Sequence, residues 1–279
     1  MTGPGAPTSG AGHGSGPRQP GAVSAVLLLH GQPGRGADWD GVARFLPEGT
    51  RVLAPDRPGY DRGPATTMLG NADALADMVR ARDLVPAVVV GHSYGGGIAL
   101  LLADRHPELV AGLVLVASVG GEDTVAAVDR LLAFPVVGPA MSGTALLASA
   151  WAGPRLRRRL RRFGARSAQM LGRYLPDDRV AASAADRGAR RSFAVEQRAL
   201  VAELPAVASA AAEVACPTVV VVGTRDLVVP PRAGARLAAA VPGAECWLVA
   251  GAGHFLLEDA PRTVARAVAR VLERAERAR

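Results

Sequence analysis

From Ala25 onward, short apolar runs alternate with stretches in which apolar residues recur every three or four positions. Ala25 to Leu29 (AVLLL), Ala87 to Val90, Leu113 to Val116 and Thr218 to Val222 (TVVVV) are continuous apolar or β-branched runs. Runs this short and this uniform mark strands buried on both faces of a parallel sheet. Arg51 to Ala54 and the segment from Cys246 to Val249 bring the expected number of strands to about six. Between them lie helical patterns. Asp38 to Phe45 is a weak one. Asn71 is placed to cap a helix with Leu75, Met78 and Val79 on one face, ending before Pro86. A third helix carries Ile98, Leu101 and Leu102 and closes at His106–Pro107, another spans about Pro231 to Ala240, and the last aligns Val264, Val268 and Val271. Strand–helix alternation of this kind predicts an α/β fold, a mostly parallel sheet with helices on both faces.

The alternation stops for roughly ninety residues. The pattern there is helical, so residues 120–214 are expected to form a helical lid inserted into a core made of 23–119 and 215–279. Residues 1–22 are rich in Gly, Pro and Ser, with neither a basic start nor an apolar centre, and are expected to be a disordered tail rather than a signal peptide. Within the lid, Leu131 to Pro154 contains no charged residue, and Arg155 to Arg162 (RLRRRLRR) follows at once. A basic flank on an apolar stretch is one way to meet an anionic membrane surface. Pro135, Gly138, Pro139 and Gly143 nevertheless cut the stretch into pieces too short to span a bilayer, which favours a lid covering a pocket.

Composition changes this picture little. The formal net charge is +7, but every basic residue is Arg and no recognition motif accompanies the charge, so no nucleic-acid partner is expected. Cys216 and Cys246 are the only cysteines, too few for a disulfide scaffold; they are expected to be buried in a reducing cytoplasm. No metal or dinucleotide motif is visible, so no cofactor and no metal is expected, and the anticipated partner is a small-molecule substrate.

The chemistry concentrates after the Ala87 to Val90 run, at Gly91-His92-Ser93-Tyr94-Gly95. A serine on a sharp strand-to-helix turn needs small residues two before and two after it, and the helix behind it aims backbone N–H groups at any developing negative charge. With these residues the chain resembles the α/β-hydrolase superfamily from Ala25 to its C-terminus. The resemblance implies Ser93 as nucleophile, Asp226 in Thr224-Arg225-Asp226 as the acid, and His254 in Gly251-Ala252-Gly253-His254-Phe255 as the base. Glu122 and Asp123, after the Leu113 to Val116 strand, are rival acids. The family's oxyanion loop is similar to His30-Gly31-Gln32-Pro33-Gly34, which implies the backbone N–H groups of Gln32 and Tyr94 as donors. His30 is expected to tie that loop down, and His92 to be structural. The resemblance also implies a lid over Ser93 whose Phe134, Leu146, Leu147 and Trp151 line an acyl pocket. Two family features are missing: strands ahead of Ala25, and the usual Gly-x-Gly-x-Ser ending of the loop that here reads DRPGYDRG. The expected reaction is hydrolysis of a carboxylic ester, lactone or thioester of a small apolar substrate through an acyl-enzyme. Perhydrolysis of the cofactor-free haloperoxidase type, carbon–carbon bond hydrolysis, lyase chemistry and ligand binding without catalysis are the alternatives that the same residues leave open.

Overall fold

A computed structural model describes residues 24–61, 63–134 and 186–278, together with 144, 147–148, 151–156 and 158–159. Among the described residues there are six strands: β1 (Ala25–Leu29), β2 (Arg51–Leu53), β3 (Ala87–His92), β4 (Val110–Val116), β5 (Thr218–Gly223) and β6 (Glu245–Val249). They form one sheet in the order β2-β1-β3-β4-β5-β6, and every neighbouring pair is parallel. Parallel neighbours need crossovers, and the helical patterns between the apolar runs supply them. Successive side chains leave opposite faces of a strand. Leu27, Leu29, Val89, Leu113, Leu115, Val220 and Val222 therefore enter one core, and Val26, Leu28, Val88, Val90, Val114, Val116, Val219 and Val221 the other. A fully buried Val or Leu contributes about 1.5–3 kcal/mol relative to exposure. The central strands are accordingly apolar up to the site, apart from Thr218 at the start of β5, whose hydroxyl donates to the Cys216 carbonyl.

Helices α2 (Met68–Ala81) and α3 (Tyr94–Arg105) cover the first core; α1 (Asp40–Ala43) lies against the second. Thr67, not Asn71, caps α2: its hydroxyl oxygen accepts the Gly70 N–H at 3.2 Å. Asn71 is instead buried in the next turn, where its side chain donates to the Thr67 carbonyl. The interrupting segment holds α4 (Ala127–Leu132), α5 (Arg187–Ala202) and α6 (Leu204–Glu213). Asp186 caps α5 by accepting the Ala189 N–H at 2.8 Å. Helix α6 sends Val207, Ala210 and Ala211 into the first core and packs on α3. By its packing it is a core helix, although the sequence pattern groups it with the lid.

Helix α7 (Pro231–Ala240) returns to the first face, and α8 (Leu256–Asp259) and α9 (Pro261–Arg277) close the second. Edge strand β6 leaves Cys246 exposed, which corrects the expectation that both cysteines are buried; Cys216 is half-buried, and burial pushes its thiol up to about 11. Among the described residues no helix is long and apolar enough to cross a membrane.

Candidate active site

Strand β3 ends at His92 and α3 begins at Tyr94, so Ser93 alone makes the turn, at φ 54° and ψ −119°. A side-chain-bearing residue at positive φ is strained, and persists only where its surroundings over-determine it. Here the Ser93 N–H donates to the Val116 carbonyl at 3.0 Å, and the Ser93 carbonyl accepts the N–H groups of Gly96 and Val119. The two flanking glycines are required sterically. A Cβ on Gly91 would lie 2.3 Å from the Gly95 carbonyl oxygen, and one on Gly95 would lie 2.4 Å from that of Leu29.

The structure brings Ser93, His254 and Asp226 into one chain of contacts. His254 Nε2 is 3.1 Å from Ser93 Oγ, and its Nδ1 is 2.9 Å from Asp226 Oδ2. The other carboxylate oxygen, Oδ1, accepts the N–H groups of Val228 and Val229 at 2.8 and 2.9 Å. Asp226 and His254 are both buried. Since a carboxylate only accepts, Nδ1 carries the imidazole proton and Nε2 offers its lone pair to the serine hydroxyl. Asp123 instead pairs with Arg236 at 2.8 Å, and Glu122 is largely exposed, so neither reaches the imidazole.

Two further histidines hold this arrangement from below. His92 Nε2 lies 3.0 Å from the His254 carbonyl oxygen, anchoring the loop that bears the imidazole. Burial, and then the neighbouring His254 ring, hold His92 down to about 4, so at neutral pH it is an uncharged donor. His30 is fully buried at the end of β1. Its Nε2 accepts the Arg57 N–H at 3.0 Å, which leaves the proton on Nδ1, 2.8 Å from the Gly31 carbonyl oxygen. Burial and then Arg57 keep His30 well below its ordinary pKa.

Arg57 is the residue the sequence reading missed. It is fully buried, donating from Nε to the His30 carbonyl and from Nη2 to the Gly31 carbonyl, both at 3.0 Å. Its Nη1 meets the Glu196 carboxylate, which also accepts the Tyr60 hydroxyl at 2.9 Å. Burial works against the charge on Arg57, yet the Glu196 carboxylate outweighs it and raises the pKa; burial raises Glu196, with Arg57 opposing. Removing either partner would strand a buried charge, at about 3–5 kcal/mol. The available signal is the spacing of Ala189, Ser192, Glu196 and Leu200, a small and apolar helical face interrupted by one carboxylate.

Above Ser93 lies a cavity of about 290 Å³. Gln32, Tyr94 and His254 line it, and its apolar wall includes Val119, Phe193, Leu200, Val229 and Phe255. The side chain of Gln32 donates to Gln197 at 2.6 Å, and Gln197 donates to Asp129 at 2.8 Å, so a polar chain crosses from the loop after β1 to α5 and α4. Of the expected lid residues, Phe134, Leu147 and Trp151 are exposed and do not line this cavity, and Leu146 lies outside the described residues. Helix α5 supplies part of the apolar wall, because its Phe193 and Leu200 face the cavity while Trp151 stacks with Arg155 at the surface.

Comparison with known proteins agrees with this fold. The chain is 32% identical over 255 residues to a pimeloyl-[acyl-carrier protein] methyl ester esterase of Chromobacterium violaceum, covering 89% of this chain and 94% of that one. It is 30% identical over 265 residues to a 2-hydroxymuconate semialdehyde hydrolase of Pseudomonas putida, covering 90% and 88% respectively. A haloalkane dehalogenase from Bradyrhizobium elkani superposes with a TM-score of 0.71 at 22% identity over 92% of both chains, a likeness of fold. The profile of the family described as alpha/beta hydrolase fold matches residues 24–261, and the chain belongs to that family.

Proposed function

We propose that this protein is a serine hydrolase that cleaves a carboxylic ester, lactone or thioester of a small apolar substrate through an acyl-enzyme. One observation carries the reading: an unbroken Ser93–His254–Asp226 chain at the elbow, opening into a cavity with an apolar wall. A hydroxyl is a poor nucleophile until a base takes its proton, and Nε2 is in place to do so. Ser93 Oγ attacks the acyl carbon as its proton passes to Nε2. The carbonyl oxygen becomes an oxyanion, held by the N–H groups of Gln32 and Tyr94. His254 then returns the proton to the leaving oxygen or sulfur, the bond to it breaks, and the acyl group remains on Ser93. Water, deprotonated by Nε2, attacks that ester; the bond from the acyl carbon to Ser93 Oγ breaks, Nε2 returns the proton to Oγ, and the acid leaves. Asp226 keeps the proton on Nδ1 throughout and stabilises the imidazolium. No step needs a cofactor or a metal.

A fluorophosphonate probe tests the nucleophile directly. Wild type is expected to label at Ser93, and Ser93→Ala to stay unlabelled with at least about a thousandfold loss of turnover, since the members of such a triad act as a unit. Labelling that survives in Ser93→Ala, or none in folded wild type, overturns the reading.

A further inference from the structure

We propose that Arg57 and His30 are positioning residues that aim the Gln32 backbone N–H at the oxyanion, and that Glu196 ties this aim to the seating of helix α5. The inference rests on the serine-hydrolase reading above. The Gly31–Gln32 peptide is trans. In a planar trans peptide the carbonyl of one residue and the N–H of the next point in opposite directions, so whatever holds the Gly31 oxygen sets the direction of the Gln32 N–H. Two donors hold it: Arg57 Nη2 at 3.0 Å and His30 Nδ1 at 2.8 Å. Both lone pairs of that oxygen are thereby occupied, and the polarised amide becomes a stronger donor on its far side. The Gln32 N–H donates to no acceptor among the described residues. Arg57 Nε on the His30 carbonyl fixes the preceding peptide as well.

The same guanidinium is locked to Glu196 of α5, and the next residue of α5, Gln197, grips the Gln32 side chain at 2.6 Å. Adjacent residues of one lid helix thus hold the oxyanion residue from two sides. If α5 leaves its place, Arg57 loses its counter-charge and the Gln32 peptide loses the fork that orients it. The hole is complete only when the lid helix is seated.

Arg57→Met combined with Glu196→Leu removes both charges and strands neither. It is expected to lower kcat about tenfold to hundredfold on a p-nitrophenyl ester, with KM little changed: the donor is misaimed rather than removed, and outright loss of one costs about a hundredfold to a thousandfold. An alkylboronic acid, which forms a tetrahedral adduct on Ser93, is expected to lose affinity by the same factor, while the midpoint of the acid limb of the pH profile stays where it is. Arg57→Lys keeps the charge but not the fork; it is expected to fall between the double variant and wild type, and it carries the same comparison should the double variant not fold. Unchanged boronate affinity, or a rise in KM alone, would overturn the proposal and leave the cluster as lid scaffolding. A folded wild type that never labels at Ser93 overturns the hydrolase reading itself, an outcome distinct from labelling with unchanged boronate affinity.

Discussion

Replacing Asp226 by Asn tests the acid, and the structure sets the size of the effect. The carboxylate is asymmetric in its surroundings. Oδ1 takes two backbone N–H groups, from Val228 and Val229, and Oδ2 takes one, from His254 Nδ1. An Asn side chain must place its oxygen on one side and its NH2 on the other. With the oxygen at the Oδ1 position both backbone donors stay satisfied, and the NH2 then faces Nδ1. His254 can accept that bond only in the tautomer that carries its proton on Nε2, which removes the base from Ser93. The opposite orientation keeps the base but turns the NH2 towards two backbone N–H groups; that of Val228 is only partly buried, whereas that of Val229 is buried and costs about 1–3 kcal/mol when left unpaired. At about 1.4 kcal/mol per factor of ten, this leaves the competent orientation in roughly one molecule in five to one in a hundred and forty. We expect kcat to fall by about that range with the thermal midpoint little changed. The assay is steady-state turnover of a short p-nitrophenyl ester, with circular dichroism to confirm folding and Asp123→Asn as the control. The reasoning fails if Asp226→Asn keeps a third or more of wild-type kcat, or if Asp123→Asn does the damage instead.

Acid should unfold the protein earlier than its surface charges require. His92 is held at about 4 in the folded chain, against 6.5 when unfolded, so between those values the unfolded chain takes a proton that the folded chain refuses. That stability is fully present above pH 6.5 and is lost on acidification, by about 2 kcal/mol from pH 6.5 to 5 at about 1.4 kcal/mol per pH unit. In urea titrations, His92→Gln is expected to be less sensitive to that acidification by about this amount; an unchanged pH dependence would contradict the burial argument. The acyl pocket supplies the third test. Each methylene buried against Phe193 and Leu200 is worth about 0.8 kcal/mol, so kcat/KM should rise about fourfold per added carbon until the cavity fills. Leu200→Ala should move the optimum to longer chains, whereas Trp151→Ala should not; the reverse pattern would return the pocket to the exposed side of the lid.

What the sequence made legible was what depends on neighbours in the chain. Uniform apolar runs are readable because a strand buried on both faces has no polar side to show, and Gly91 and Gly95 are readable because the turn at Ser93 is made within five residues. His254 and Asp226 follow strands β6 and β5, the places where the resemblance to the family implies a histidine and an acid. Contacts that close over long separations were not readable. Arg57 and Glu196 are 139 residues apart; Glu196 interrupts a small and apolar helical face, but nothing local says that its partner is Arg57. The misplaced cap of α2 has the same origin: Asn71 looks like a capping residue, but its Oδ1 lies 3.4 Å from Arg57 Nη1 as part of the buried network. The sequence points to Phe134, Leu146, Leu147 and Trp151 as the lid wall because an uncharged stretch resembles a buried one, yet a large side chain such as Trp151, stacked on an arginine, is stable at the surface.

The buried pair also bears on how the lid is held. An apolar helix face resists sliding only weakly, since one methyl contact replaces another, whereas a desolvated ion pair has one position in which both charges are met. Moving α5 by one residue would rotate its face by roughly 100°. Glu196 would then leave Arg57 and Tyr60, and Gln197 would leave Gln32 and Asp129, stranding two charges and several buried donors at once. At about 3–5 kcal/mol for a broken buried pair, a large part of the stability of a typical domain would be lost. Burying the pair therefore adds little net stability, but it makes one register of the lid far more favourable than its neighbours. That register is also the one that places Phe193 and Leu200 against the cavity.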